Sequence, residues 1–290
     1  MTRVGPARLY NTNMTEDANK IPPSRIPTPA ELKTFSHQTE ALLLKCIKEL
    51  DSVSKLDEKI RLGLLVKLLK VYRNMFAIAD LDDSDTPPIL ARIIYELALS
   101  FIFLVINQDD HPEYYELFKK TTLQRMADLM KVAEKAPDKD RKSNKEMVEG
   151  LKKKLSDEQF NLSQSSSGYP KSWLPDKSYY QMAKEVGDEF LAAYNIFYEA
   201  TSIFVHPNWL DIEGNHLDTS KMLATAQLKS PPLSVLPLCT ASCFVLRTIE
   251  VFGISIVGKN AVKSKRFVER SRHIHHLLHN GSPDPIIWTP

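Results

Sequence analysis

Apolar residues recur at three- and four-residue spacings along most of the chain, with charged residues between them. This period is typical of amphipathic α-helices that pack one face against a core. It predicts helices from Leu56 to about Ala79, from Pro112 to about Glu134 and from about Asp188 to His206, where Pro207 stops the last one. Alternating β-branched runs are few, so the pattern indicates an all-α fold.

Several helix starts are marked by a hydroxyl residue followed by proline. Thr28-Pro29-Ala30-Glu31 combines a capping threonine, a proline suited to the first helical position and a glutamate for a capping box, which predicts a helix to about Leu50. Thr86-Pro87-Pro88 and Ser230-Pro231-Pro232 open two further helices. The helix after Thr86 is apolar nearly all round, and we therefore expect it at the centre of the core.

Two apolar stretches are long enough to raise the question of a membrane span, Ile89 to Ile106 and Leu233 to Val257. Each has an arginine and a glutamate in its interior: Arg92 and Glu96 in the first, Arg247 and Glu250 in the second. Such charges are costly in lipid and ordinary in a paired, buried helix. We therefore predict no contact with a membrane.

Composition adds further limits. Nine glycines in 290 residues are few, which argues against a sheet-rich fold. The net charge of +2 does not require a polyanionic partner, so any nucleic-acid binding must come from a local patch. The three cysteines form no CxxC pair and the first residues contain no apolar signal segment, which predicts a reducing, cytoplasmic location. No phosphate-binding glycine loop, nucleophile elbow or HExxH motif occurs, and we predict no cofactor and no metal site.

The chain is predicted to divide into three parts: a disordered arm over residues 1–27, a helical bundle over 28–258, and a basic C-terminal helix and tail over 259–290. Within the bundle, residues 135–172 are densely charged and include a serine-rich stretch, which predicts an inserted charged helix followed by a flexible linker. The predicted fold is an all-α, multi-helix up-and-down bundle with flanking N- and C-terminal helices.

Polar side chains interrupt two of the apolar helices at helical spacing. Residues four apart share a helix face, so Arg92 and Glu96 lie side by side, with Ser100 one turn further. The second row is Tyr198, Ser202 and His206, flanked by Glu199. Because a charge in an apolar setting needs a partner, we expect the two rows to face each other.

These rows have two interpretations. In the functional one, Arg92 and His206 face a cleft and handle a phosphate, because arginine supplies a permanent planar charge and histidine a proton near neutral pH. In the structural one, Glu96 satisfies Arg92, Ser202 bonds to the carbonyl of Tyr198, and His206 caps the helix end. The residue types leave both open.

The motifs around these rows resemble an uncharacterised family of bacterial proteins, domain of unknown function 5677. The matching elements are Ala91-Arg92-Ile93-Ile94-Tyr95-Glu96, Trp173, Met182-Ala183-Lys184-Glu185-Val186-Gly187 and Tyr198-Glu199-Ala200-Thr201-Ser202-Ile203-Phe204-Val205-His206-Pro207. The resemblance covers about residues 60 to 215. It implies a helical bundle that brings the two rows together, with no established activity.

The family is also loosely similar to the HEPN helical bundles, many of which are metal-independent ribonucleases that use an arginine and a histidine against the scissile phosphate. This similarity implies RNA as a partner, a homodimer, and a role in bacterial stress or phage defence. HEPN proteins place the two residues in one short motif of a single helix. Arg92 and His206 are far apart in sequence, so this chain departs from that pattern.

The stretch from Lys259 to His279 is the one strongly basic segment. Its candidate nucleic-acid-binding residues are Lys263, Lys265, Arg266, Arg270 and Arg272. Such a helix either tracks phosphates, with an affinity that falls in salt, or is a solvated helix face. Four histidines follow or overlap it (His273, His275, His276 and His279), but without a neighbouring carboxylate or cysteine ligand they do not predict a metal site.

The leading hypothesis is a HEPN-like protein that binds or cleaves RNA without a metal. In it Arg92 binds phosphate, His206 acts as general acid or base, Glu96 orients Arg92, and Ser202 assists by hydrogen bonding. The alternative is a non-enzymatic helical interaction protein in which the same residues form a structural network.

Overall fold

The computed structural model describes residues 27–50, 52–79, 86–135, 138–161, 173–174, 176–198, 201, 217–218, 225–226, 235–256, 258 and 260–280. The α-helices of this part of the chain are α1 (Pro29–Glu49), α2 (Leu56–Ala79), α3 (Thr86–Ile106), α4 (Glu113–Glu134), α5 (Asp138–Asp157), α6 (Tyr179–Val186), α7 (Asp188–Ala193), α8 (Val235–Ser255) and α9 (Ala261–Asn280). A two-residue antiparallel pairing joins β1 (Leu217–Asp218) to β2 (Thr225–Ala226). The predicted all-α, multi-helix bundle is confirmed.

Local sequence signals set several helix ends. At the start of α1, the Thr28 backbone N–H donates to Glu31 Oε2 at 2.8 Å, and the Glu31 backbone N–H donates to Thr28 Oγ1 at 3.3 Å. This is the predicted capping box, which satisfies backbone donors that the first helical turn leaves without partners. The predicted starts of α2 at Leu56 and of α3 at Thr86 are also confirmed.

The contacts divide the chain into two compact units, one formed by residues 1–106 and 183–290 and the other by residues 107–182. In the first unit α8 packs against α1, α2, α3 and α9, and α2 packs against α1 and α3. Its core includes the fully buried rings of Tyr72, Tyr95, Phe101, Phe103, Phe190 and Phe252. The helix after Thr86 thus lies in the core, as its all-round apolar pattern predicts.

Helices α3 and α8 are each long and apolar enough to cross a membrane by length and composition. In this fold 61% and 67% of their most apolar windows are buried inside the protein. Burial in the bundle therefore gives a physical reason for their apolar composition.

Gly253 allows α8 and α9 to approach closely. A Cβ atom at this position would lie 2.9 Å from the Cβ of Phe267 and 3.2 Å from the backbone oxygen of Ser264. Only a residue without a side chain fits this crossing unless the helices shift. The close approach brings charged residues of α9 within reach of α8.

The second unit contains the antiparallel neighbours α4 and α5 and a small apolar cluster of Leu123, Ala127, Met130 and Leu155. Trp173 packs edge-on against Phe118, and its carbonyl accepts a hydrogen bond of 2.7 Å from the hydroxyl of Thr121. The charged helix predicted between residues 135 and 172 is α5, and the predicted linker that follows it falls mostly outside the described residues.

Candidate functional site

The candidate site is built in the first unit where α3 meets the end of the α7 segment. Helix α3 places Arg92 and Glu96 one turn apart on one face. Tyr198 comes from a π-helical turn, Tyr194–Tyr198, that directly follows α7 and contacts α3. Arg92 and Glu96 of the first polar row are thus brought to Tyr198 of the second.

Arg92, Glu96 and Tyr198 form a three-membered contact. The Arg92 Nε atom lies 3.6 Å from Glu96 Oε1, and the Tyr198 hydroxyl donates a 3.0 Å hydrogen bond to the same Glu96 oxygen. The Arg92 guanidinium carbon sits 4.1 Å from the centre of the Tyr198 ring, a cation–π geometry. The ring and the carboxylate together fix both the plane and one edge of the guanidinium.

The exposure of this contact distinguishes it from a core ion pair. The Arg92 side chain is 17% exposed and the Glu96 side chain 32% exposed. Both side chains therefore remain partly exposed to water, although they arise from a helix that is apolar on most of its surface.

The Tyr198 phenol is held in its protonated form. Burial, together with the nearby Glu96 carboxylate, raises the pKa of Tyr198 to about 12, while the Arg92 charge acts in the opposite direction. Both leading causes disfavour a phenolate beside the carboxylate. At neutral pH the hydroxyl is accordingly a hydrogen-bond donor to Glu96 and not a base.

Aromatic side chains pack around Tyr198 and support its contact with Arg92 and Glu96. The Tyr95 ring lies 5.5 Å from the Tyr198 ring and 5.8 Å from the Phe190 ring between centroids, and its hydroxyl donates a 3.0 Å hydrogen bond to the Phe190 carbonyl. Tyr194 stacks on Tyr198 with centroids 4.8 Å apart. Both rings pack against Tyr198, which restricts the direction its hydroxyl can take.

The π-helical turn is a difference from the sequence prediction, which has a regular α-helix through this segment. A π turn adds one residue to the helical repeat and rotates everything after it relative to the residues before it. This rotation changes which side chains share a face with Tyr198. Such turns are frequent at functional sites.

Three of the predicted site residues, Glu199, Ser202 and His206, lie outside the described residues. The last described residue of this segment, Thr201, is buried and donates a 3.0 Å hydrogen bond to the carbonyl of Tyr198. In the structural interpretation of the sequence, the hydroxyl of Ser202 is predicted to donate to the carbonyl of Tyr198. In the structure Thr201, one position earlier, provides a hydroxyl for it.

The basic helix α9 is amphipathic. Its buried stripe is Ser264, Phe267, Ser271, Ile274, Leu277 and Leu278. Lys263 pairs with Glu49 of α1 at 2.9 Å, and Lys265 lies 3.7 Å from Glu269. Arg266 is exposed and Arg270 half-buried. Part of the positive charge that the sequence places on this helix is therefore neutralised by neighbouring carboxylates.

Arg272 makes the strongest of these pairings. Its Nε and Nη2 atoms both lie 2.7 Å from Glu250 Oε1, and Glu250 is only 6% exposed. The other Glu250 oxygen accepts from Arg247 Nη1 within α8, and Arg247 Nε is 3.6 Å from Glu189. The expected pairing of Arg247 with Glu250 in α8 is present, and α9 contributes a second arginine that periodicity did not indicate.

The cysteines are free thiols: Cys46 is buried, and Cys239 and Cys243 are half-buried on α8. Burial raises the pKa of Cys239 to about 11 and that of Cys243 to about 12, so these thiols are weak nucleophiles at neutral pH. Among the described residues, no group of three or more His, Cys, Asp or Glu side chains is placed to hold a metal ion.

Comparison with known proteins gives one match. The model of a family of unknown function, DUF5677, matches residues 58–222, which include α3, α7 and the π-helical turn. No curated protein and no solved structure matches the chain. The family match covers more than half of the sequence and includes the contact between Arg92, Glu96 and Tyr198. The chain belongs to the DUF5677 family of unknown function.

Proposed function

We propose that this protein binds RNA through a phosphate-binding arginine, Arg92, and cleaves it without a metal ion. The observation that supports this most directly is the restrained guanidinium of Arg92, 4.1 Å from the Tyr198 ring centre, on a side chain that is 17% exposed. An arginine whose orientation is fixed in advance loses less conformational entropy when it binds a phosphate.

In this proposal the remaining residues act through Arg92 or beside it. Glu96 is a positioning residue, because it holds the Nε edge of the guanidinium and accepts from Tyr198. His206 transfers protons, taking one from the RNA 2′-hydroxyl or giving one to the departing 5′ oxygen, and Ser202 donates a hydrogen bond to the phosphate. The roles of His206 and Ser202 rest on their place in the sequence motif.

The basic residues of α9 are the second RNA-binding element of the proposal. Lys265 is 74% exposed, and its pairing with Glu269 at 3.7 Å is an exposed contact that a phosphate can replace at little cost. Arg272 is held by a buried carboxylate, so we assign it a smaller part in binding. Binding by such a surface weakens steeply as salt rises. A cytoplasmic location and a homodimer also belong to this proposal.

The test uses the purified full chain and mixed RNA, with and without a chelator, beside Arg92→Ala and His206→Ala. Arg73→Ala is the matched control, since Arg73 also pairs with a glutamate, Glu40, but does not belong to the candidate site. We expect chelator-resistant cleavage by the wild type and the control, and loss of cleavage in both site variants. Cleavage that survives in the folded site variants, or is absent throughout, would refute the proposal.

A second function is favoured by the way the side chains of this contact satisfy one another. Glu96 accepts from Tyr198 while it pairs with Arg92, so the three side chains also satisfy one another as a structural contact would. In this alternative the protein is a non-enzymatic helical interaction protein. It predicts no RNA cleavage by the wild type.

A further inference from the structure

The solvent-facing side of helix α2 carries positive charge and no negative charge. Its exposed positions form one stripe at three- and four-residue spacings: Lys59, Gly63, Lys67, Lys70, Arg73, Asn74 and Ala77. The acidic residues of the helix, Asp57 and Glu58, both lie in its first turn and are half-buried. Because apolar residues separate the lysines in the sequence, the stripe becomes visible only when the exposed positions are known.

The lysines of this stripe are not neutralised within the part of the chain that the structure describes. Lys59, Lys67 and Lys70 form no ion pair there. Arg73, at the end of the stripe, pairs with Glu40 of α1 at 2.6 Å. In helix α9, by contrast, three of the cations each lie beside a carboxylate. The exposed side of α2 thus presents positive charge that no carboxylate compensates.

The lysine spacing has an electrostatic cost. Lys67 and Lys70 lie three residues apart and share a helix face, and Arg73 follows three residues later. Like charges at this spacing repel each other and lower the stability of the helix. A polyanion that lies along the stripe turns this repulsion into attraction, because each cation then has an opposite charge beside it.

Gly63 occupies the middle of the stripe, between Lys59 and Lys67. Glycine in the interior of a helix is destabilising, and alanine at an exposed position would be more favourable. Apart from the adjacent residues and the helix backbone itself, no atom lies within 4 Å of the place that a Cβ would take. Packing among the described residues therefore gives no reason for a glycine, whereas a bare backbone lets a ligand approach the helix closely.

We propose that the exposed stripe of α2 binds the phosphate backbone of a single RNA strand, with Lys59, Lys67 and Lys70 each beside a phosphate. This inference rests on the proposed RNA-binding function and adds to it a surface distinct from Arg92 and from α9. At 1.5 Å per residue, the row from Lys59 to Lys70 is about 16 Å long and spans several successive phosphates. The stripe contains no aromatic residue for base stacking, so we expect binding without sequence preference.

An RNA strand fits this surface better than an anionic membrane does. Helices that lie on a membrane insert large apolar side chains beside their basic residues. The large apolar side chains that are exposed in the described residues include none from α2. The stripe therefore offers charge without an apolar anchor, which is the form of a surface that tracks phosphates.

The test measures fluorescence anisotropy of a mixed-sequence 2′-O-methyl RNA strand, which has no 2′-hydroxyl and stays intact whether or not the protein cleaves RNA. The full chain is compared with the double variant Lys67→Gln, Lys70→Gln. The matched control is Lys45→Gln, Lys48→Gln on α1, because these two exposed lysines have the same three-residue spacing and belong to the same unit. All three proteins are titrated at several salt concentrations.

Each phosphate contact with a single strand contributes about 0.7 to the slope of log affinity against log salt concentration. We expect the α2 variant to lower this slope by about 1.4 and to weaken binding about 25-fold at about 0.1 M salt, with the control close to the wild type. Wild-type affinity in the α2 variant, or an equal loss in both variants, overturns the proposal. Phosphatidylserine vesicles and polyglutamate are titrated in parallel, and a loss in the α2 variant that appears with either of these but not with RNA also overturns it.

The close approach of the strand is tested by Gly63→Gln, with Gly150→Gln of α5 as the control, since a Cβ at either position meets open space. Glutamine favours a helix more than glycine does, so both variants should unfold at a higher temperature than the wild type. We expect only Gly63→Gln to weaken RNA binding, because its side chain holds the strand away from the helix. Equal affinities of the two variants overturn the assigned course of the strand over Gly63.

Cleavage of unmodified RNA is measured separately, so that this inference and the proposed function can fail independently. Absence of cleavage, together with binding that depends on Lys67 and Lys70, refutes the proposed function and leaves the α2 surface in place. Cleavage by the wild type, together with unchanged affinity in the α2 variant, refutes the α2 surface alone.

Discussion

Tyr198→Phe isolates one interaction in the candidate site, the hydrogen bond to Glu96. The variant keeps the ring beneath Arg92 and its stacking on Tyr194, and it removes only the donor that lies 3.0 Å from Glu96 Oε1. Hydrogen bonds to charged groups contribute about 1.5 to 3 kcal/mol. Glu96 is 32% exposed, so water replaces part of that interaction, and we expect a loss of about 1 kcal/mol in the free energy of unfolding.

A double-mutant cycle measures this interaction by urea unfolding of the wild type, Tyr198→Phe, Glu96→Ala and the double variant. We expect a coupling free energy of about 1 kcal/mol, because each single change breaks the same contact. Effects that add to within about 0.3 kcal/mol would show that the two side chains do not interact in solution. The m-value should stay constant, since no helix is lost.

Three further predictions concern other properties of the fold. The pKa of Tyr198 is raised from about 10 to about 12, so the folded state binds the phenol proton more tightly than the unfolded state does. The contribution of the protonated phenol to the free energy of unfolding is therefore complete below about pH 10 and is lost as the pH rises from about 10 to 12. The difference in unfolding free energy between the wild type and Tyr198→Phe should shrink over this range, and a constant difference would contradict the prediction. Gly253→Ala should destabilise by about 1 to 3 kcal/mol in urea unfolding because its Cβ meets α9 at 2.9 Å, whereas helix propensity alone would make it stabilising. Arg272→Ala removes one of two arginines from the buried Glu250 carboxylate; because the Arg272 side chain is itself 66% exposed, we expect a loss of about 1 kcal/mol in thermal unfolding. Arg266→Ala, at another exposed position, should change stability by less than about 0.5 kcal/mol. Equal effects would show that the pairing of Arg272 with Glu250 is absent.

The helices were predictable because their signals are local. The Thr28 cap, the proline after it and Glu31 act within four residues, and the structure has the capping box they indicate. The apolar character of the segment after Thr86 likewise predicts its place in the core, where α3 is found. Local signals of this kind need no knowledge of the rest of the fold.

The π-helical turn at Tyr194–Tyr198 was not predictable in the same way. A one-residue insertion into a helical repeat changes the apolar pattern too little to be recognised over a short segment, and its stability depends on tertiary packing. Here that packing comes from Tyr95 and Tyr194 around Tyr198. The sequence therefore predicted that the row of Tyr198 faces the row of Arg92 and Glu96, but not the hydrogen bond and the cation–π contact that Tyr198 makes there.

The pairing of Arg272 with Glu250 has a similar cause. The two residues are 22 positions apart and meet only because α8 and α9 approach closely at Gly253. A single glycine in an apolar helix can simply lower the helix propensity of its segment. The sequence alone therefore does not show that two helices approach closely at this position. A count of the basic residues in a sequence overstates the positive charge that is available to a nucleic acid when buried carboxylates neutralise part of it.

The part-exposed state of Arg92 bears on the choice between the two proposed functions. A structural ion pair with side chains 17% and 32% exposed contributes little to stability, generally less than about 1 kcal/mol, because water screens it. The apolar helix α3 would lose little free energy if an aliphatic residue replaced Arg92 in a purely structural role. A bound phosphate changes this balance, because a second negative group then meets a guanidinium already oriented by Glu96 and Tyr198. Stability alone is thus a weak reason for an arginine at this position, which favours the proposed recognition of an anion over the structural alternative.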